Sequence, residues 1–332
     1  MKKLLFVLLM FLFIAAGCNS NADGGASNDD TNAESQNEYP QESIQVIVPY
    51  SAGGGTDTFA RLAMNPIESE LGQSLIIVNK PGASGETGAT EIANSEANGY
   101  NLGYISLLDF ALLPSIKETT YDYDQFEFLA SFTESSAVMI AGKDTGFETI
   151  EDVINSAKER PGGISVSVSG DGHKYILMQL EQEAGVDLTP VSYSGGGESL
   201  NAVLGGHVDV AIISQAFVQQ TEEQGLKTLA VANEERVDVI DHVPTFIEGG
   251  YNVSAVDSRI MVAPKGIPEE IAAILKESLD RVGESGTLAE PIAEIGDVFA
   301  YRSGDELDEF INNAIQRIQE VVEGNESEFQ TN

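Results

Sequence analysis

The feature that most limits the fold of this chain is a unit used again and again: a short apolar run, a glycine or serine turn, then a helical pattern. The clearest instance is Val46-Ile-Val-Pro-Tyr-Ser-Ala-Gly-Gly-Gly-Thr-Asp-Thr-Phe-Ala-Arg61. Val46, Ile47 and Val48 are β-branched and suit a buried strand. Pro49 lacks the N–H that a ladder needs and closes it. Gly53, Gly54 and Gly55 permit a sharp turn and close approach of a ligand to the backbone. Thr56 or Asp57 can cap the following helix, whose apolar stripe is Phe59, Leu62, Ala63, Ile67 and Leu71. Free N–H groups at the positive end of a helix dipole form an anion site without Lys or Arg. The same residues also suit a plain tight turn with a helix cap. No Lys follows the glycines, as a P-loop requires, and the third glycine of a dinucleotide fingerprint is missing.

Further along, strands are expected over 75–78, 102–105, 138–140, 164–168, 189–193, 208–213 and 226–231. Helical patterns follow most of them. This alternation is the βαβ signature of an α/β protein with a mostly parallel sheet. Residues 121–128 read as an aromatic and acidic loop. Thr149-Ile-Glu-Asp starts one helix, Pro268 with Glu269 and Glu270 another, and Ser303-Gly-Asp-Glu306 fits a capping box for the last. In open α/β sheets such turns gather at one edge, where ligands bind.

The N-terminus has Lys2-Lys3, thirteen apolar residues from Leu4 to Ala16, and Gly17-Cys18. That run is too short to span a bilayer and fits a signal-peptide core. Cys18 is the only cysteine. Behind Ala15-Ala-Gly17 it matches a lipoprotein cleavage site in all but the usual large residue, for which Ala15 stands. Ordinary cleavage with an incidental cysteine is the alternative. Residues 19–38 have no large apolar side chain and read as a tether reaching roughly 25 Å. The formal charge of −36 disfavours nucleic acid as a partner and suits a salty or alkaline setting. It does not bar an anionic ligand, because surface charges are screened over about 8–10 Å while pocket N–H groups act at contact.

Several pieces, in order, resemble one family. They are Val48-Pro-Tyr-Ser-Ala-Gly-Gly-Gly-Thr-Asp57, Leu71-Gly-Gln73, Val78-Asn-Lys-Pro-Gly-Ala-Ser-Gly85 and Gly99-Tyr-Asn-Leu102. Tyr193-Ser-Gly195, Gly205-Gly-His-Val-Asp209, Val243-Pro-Thr-Phe246 and Ala263-Pro-Lys-Gly266 complete the set. Together they are similar to the substrate-binding proteins of tripartite tricarboxylate transporters, the TctC or Bug receptors. The resemblance implies a two-lobed periplasmic-binding-protein-like fold of type II. Each lobe would be a mixed, mostly parallel sheet flanked by helices, with a small carboxylate held in the cleft and passed to membrane permease subunits. Lobe 1 is expected over 39–140 and 256–325, and lobe 2 over 141–255, with crossovers near 137–142 and 253–262. Residues 1–18 are the expected signal and lipidation cysteine, 19–38 the tether and 326–332 a tail. An exported monomer is expected, either lipid-anchored to the outer face of the cytoplasmic membrane or periplasmic, with no cofactor or metal.

By the same resemblance, Tyr50, Ser51, Ala52, Gly53, Gly54, Gly55, Thr56 and Asp57 line the near wall with Ser106. Asp57 also suits a loop brace. Ser169, Gly170, Tyr193, Gly195, Gly196 and Ser214 form the far wall. The chain departs from the family at Ser169-Gly-Asp-Gly-His173, which is compact. An inward carboxylate at Asp171, or at Asp109 after Ser106, would repel an acid and could instead meet a ligand ammonium. Solvent-facing Asp109 and Asp171 are the alternative. An enzyme is disfavoured: the three histidines lack metal-ligand spacing and the G-x-S-x-G elbow is absent. The receptor of another transporter class, or a sensory module, would use the same chemistry of capture.

Overall fold

A computed structural model describes residues 39–193 and 195–323. Ten strands form the sheet: β1 (Ile44–Val48), β2 (Leu75–Asn79), β3 (Asn101–Ser106), β4 (Phe126–Ala141), β5 (Ser165–Val168), β6 (Thr189–Ser192), β7 (Val210–Ser214), β8 (Lys227–Val231), β9 (Val256–Pro264) and β10 (Val298–Ser303). The helices are α1 (Gly55–Leu71), α2 (Glu86–Ala93), α3 (Leu107–Ile116), α4 (Ile150–Glu159), α5 (Asp171–Ala184), α6 (Gly196–Leu204), α7 (Val218–Glu223), α8 (Glu269–Ser285), α9 (Ala289–Glu294) and α10 (Gly304–Val322).

The strand order is β2-β1-β3-β9-β4-β7-β5-β6, with β8 and β10 also paired to β4. In one half, β1 lies parallel to β2 and β3, and β9 runs antiparallel to β3. In the other, β5 lies parallel to β6 and β7. Strand β4 serves both. Residues 126–136 pair with β9, and residues 137–141 pair with β7 and β8. At 16 residues it is far longer than the usual strand of about five or six. The expected loop over 121–128 therefore ends at Phe126, where β4 begins. Ser131, Thr133, Ser135 and Ser136 give β4 a polar middle, and all four are buried.

Apolar side chains close both faces. Phe59, Ala63 and Ile67 of α1 pack with Leu275 and Leu279 of α8 against Val46, Tyr104 and Met261. The other face is covered by α3 and by Leu307, Ile311 and Ile318 of α10, so both terminal helices pack on the half holding β1–β3. The capping box at Thr149 forms with Asp152. At Ser303 it does not: no side chain caps α10, and Glu306 lies beside Arg302 at 3.6 Å instead. No helix among the described residues is long and apolar enough to cross a membrane.

Candidate functional site

The turn between β1 and α1 is built as a display of backbone donors. Only Gly53 within it has a left-handed backbone, with φ 78°. Its N–H donates to Asp57 Oδ2 at 2.8 Å, and the Gly54 N–H closes on Ser51 O at 3.1 Å. The helix ladder starts with Thr58 N–H to Gly54 O at 2.9 Å. The N–H groups of Gly55, Thr56 and Asp57 precede that bond and are the first-turn donors left for a partner. Neither Thr56 nor Asp57 caps the helix: the N-cap is Gly54, without a side-chain bond. The Asp57 carboxylate instead braces the loop, accepting from Gly53, from Arg61 at 2.9 Å and from Asn79 Nδ2 at 2.9 Å. Burial opposes its ionisation, but these bonds outweigh burial and hold its pKa below the ordinary value. Ser51, Ala52, Gly53 and Gly55 are exposed. The Tyr50 ring packs towards Gly85, and its hydroxyl lies at Ser106; burial, then Asp109 and Asp257, push its pKa well up.

Ser106 ends β3 and is the N-cap of α3. Its hydroxyl donates to Asp257 Oδ1 at 2.9 Å, and the Leu108 N–H donates to the same oxygen at 3.1 Å. Asp109 and Asp171 do not simply face solvent. Asp109 accepts from the Gly172 N–H in the first turn of α5, which joins the two halves of the fold. Asp171 accepts from Ser84 Oγ at 2.7 Å and makes a second such bridge. Burial first, then Asp257 and Asp171, raise the Asp109 pKa to about 7.

Ser169 and Gly170 lead into α5, with Gly170 at φ 95° as its N-cap. Ser169 Oγ meets His173 Nδ1 at 2.9 Å. Burial, with the charge of Arg259 second, lowers the His173 pKa to about 4, so its ring is neutral at pH 7. Ser214 sits against Ser135 of β4, with Oγ atoms 3.3 Å apart, and the adjacent Gln215 reaches Gly296 O at 3.1 Å. The turn into α6 stays within its own half: the Tyr193 N–H donates to Val168 O, Gly195 is the N-cap and Gly196 lies against Phe217. Thus Tyr50, Ser106, Asp109 and Asp171 gather at one seam. Cys18 lies outside the described residues.

Three residues of this seam were not anticipated: Asp257 and Arg259 of β9, and Asp297 just before β10. Asp257 and Arg259 share one face of the strand, and Arg259 stands opposite Ser106 in the ladder. The Arg259 guanidinium is 4.9 Å from the Phe59 ring centroid. Its closest carboxylate oxygens are Asp257 Oδ2 at 3.6 Å and Asp297 Oδ2 at 3.9 Å. Burial, with Arg259 opposing it, raises the Asp297 pKa to about 6. The available signal was two charges at alternate positions directly before the apolar run Ile260-Met-Val-Ala263.

The family model described as "Tripartite tricarboxylate transporter family receptor" matches residues 59–326. BugT of Bordetella pertussis is 28% identical over 296 residues, covering 86% of this chain and 89% of its own. The solved periplasmic binding protein BugD is 26% identical with a TM-score of 0.77, covering 86% of this chain and 98% of that one. MatC of Rhodopseudomonas palustris, solved with bound malate, is 26% identical with a TM-score of 0.75, covering 86% and 100%.

Proposed function

The chain belongs to the tripartite tricarboxylate transporter receptor family, and from that premise we propose that its α1 turn holds one carboxylate of the captured solute. As a receptor of this family it binds a small carboxylate and delivers it to a tripartite tricarboxylate-type transporter. No catalytic step is assigned to it. The observation that carries the site is the state of the turn. Its outer donors, on Gly53 and Gly54, are engaged internally, while those of Gly55, Thr56 and Asp57 stand in front of the helix ladder. Hydrogen bonds to a charged group contribute roughly 1.5–3 kcal/mol each. Three of them grip a carboxylate while leaving it releasable. Tyr50 and Ser51 to Gly54 frame this end, Ser106 the floor, and Ser169, Gly170, Tyr193, Gly195, Gly196 and Ser214 the opposite wall. The lobes are taken as 39–140 with 256–325, and 141–255. The protein acts as a monomer, tethered to the membrane through lipid on Cys18.

The test is calorimetry with L-malate, succinate, adipate and the common amino acids. Gly54→Val is expected to abolish binding of the acid that the native protein prefers, with the circular dichroism unchanged. A Cβ at Gly54 would stand only 3.1 Å from Ser51 O, so branching there displaces the turn. Native affinity in that variant refutes the assigned turn.

One observation favours an amino acid over a plain diacid. Asp257 and Asp171 both oppose the ionisation of Asp109 at the seam, and a ligand ammonium beside Asp109 would offset them. If plain dicarboxylates bind tighter than amino acids, this second reading is discarded.

A further inference from the structure

We propose that Arg259 is a specificity-determining residue of this receptor, supplying a charged donor beneath the α1 turn for the solute carboxylate. The inference rests on the carboxylate-receptor reading above. It starts from a buried guanidinium without the hydrogen bonds that burial demands. Arg259 is 7% exposed. Its Nε and Nη1 are enclosed without a partner, and so are both carboxylate oxygens of Asp297. The nearest carboxylates, at 3.6 and 3.9 Å, are beyond hydrogen-bond distance. Buried ions are normally retained with their donors filled, because desolvation otherwise exceeds the Coulombic gain. Nη2 is not one of these enclosed atoms; its nearest carboxylate oxygen, Asp257 Oδ2, is 3.6 Å away, and this leaves it as the donor on the side of the ligand-binding turn.

Its position supplies the direction. A Cβ on Gly55 would stand 3.6 Å from Nη2, so only the bare glycine separates that nitrogen from the first turn of α1. The N–H groups of Gly55, Thr56 and Asp57 and the Arg259 Nη2 donor are therefore assigned to one acceptor. Asp257 and Asp297 hold the guanidinium in place by charge without occupying its donors. Phe59 backs it from the other side. The charge of Arg259 also reaches Asp109 in its own half and His173 in the opposite half, across the seam. Without this cation, an approaching acid would meet Asp109, Asp171 and Asp257 alone. Charge-assisted bonds from a planar fork are about twice as strong as neutral ones and select ionised carboxylates.

The experiment compares native receptor, Arg259→Gln and Arg259→Lys by calorimetry, using the tightest acid from the malate, succinate, adipate and amino-acid panel and that acid's monoamide. The native protein is expected to prefer the acid at least 100-fold. Arg259→Gln is expected to lose 100-fold or more in affinity for the acid, and its preference over the amide is expected to shrink below tenfold. A purely structural role would weaken both ligands equally and leave the ratio unchanged. Arg259→Lys keeps the charge but not the fork and is expected to lose about tenfold. Either folded variant binding the acid within threefold of native overturns the role of Arg259 and leaves the receptor reading intact. Should Arg259→Gln fail to unfold cooperatively, the lysine variant decides alone. If the native protein binds no acid in the panel, the receptor reading itself falls, and this inference with it.

Discussion

Asp109 gives this receptor an unusual pH response, and Asp109→Asn isolates it. The carboxyl is packed where α3 meets the first turn of α5, and its pKa is raised from 3.8 to about 7 by burial, Asp257 and Asp171. In the unfolded chain it ionises near 4. Between these values the native state keeps a proton that the unfolded state has lost. Stability therefore falls as pH rises through that window and levels off above about 7. A shift of about three units at about 1.4 kcal/mol each sets a ceiling of ~4 kcal/mol. Some of that repulsion belongs to Asp257 and Asp171, so about 2–3 kcal/mol is expected from this one group. Asparagine keeps an oxygen to accept the Gly172 N–H and removes the charge. Urea unfolding of the ligand-free protein, followed by circular dichroism, is to be measured at pH 4, 6 and 8. The variant is expected to match native within about 0.5 kcal/mol at pH 4 and to exceed it by about 2–3 kcal/mol at pH 8. Asp297, raised to about 6, contributes with the same sign in both proteins and cancels in the difference. A pH-independent gap between the two proteins, or a native protein more stable than the variant at pH 8, would refute the reasoning.

Asp57→Ala removes the brace shared by Gly53, Arg61 and Asn79; it is expected to lower stability by about 1–3 kcal/mol in thermal unfolding and carboxylate affinity at least tenfold. Unaltered affinity would mean the turn holds its shape without the brace. Cys18→Ala is expected to move the full chain from the membrane pellet to the soluble fraction of a bacterial host. Retention in the pellet would exclude the lipid anchor.

What could be read in the sequence was what depends on near neighbours. The β1 strand, its glycine turn and α1 follow from sixteen consecutive residues, and the Thr149–Asp152 box from four. Strand β4 was missed in part because Thr133 takes its partners from Ser258 and Arg259 of β9, and Ser135 meets Ser214 of β7, not adjacent residues. Helix α3 left no stripe: Leu107, Leu108, Phe110, Ala111, Leu112 and Leu113 are all buried, because neighbours cover it all round. The place of Ser106 at the end of β3 was legible. Its partner Asp257 was not, because the two are 151 residues apart and meet only through the β3–β9 pairing. Arg259 was hidden for the same reason: it reaches Ser106 only through the same pairing. The Ser303 box failed because its glutamate turned to Arg302, a competition that the local pattern does not contain.

Because β4 is stitched into both halves of the sheet, rocking one half of the molecule against the other would twist a continuous ribbon. Its ladder is irregular between Phe128 and Ala130, between Ser131 and Thr133, and between Met139 and Ile140. The segment bracketed by these slips, Thr133 to Ser136, has few bulky groups to jam. Any bending between the halves passes through this short length of backbone, while Ser84 with Asp171 and Gly172 with Asp109 join the halves at the seam. A rigid-body separation of the halves would have to break these two small contacts as well as bend the ribbon.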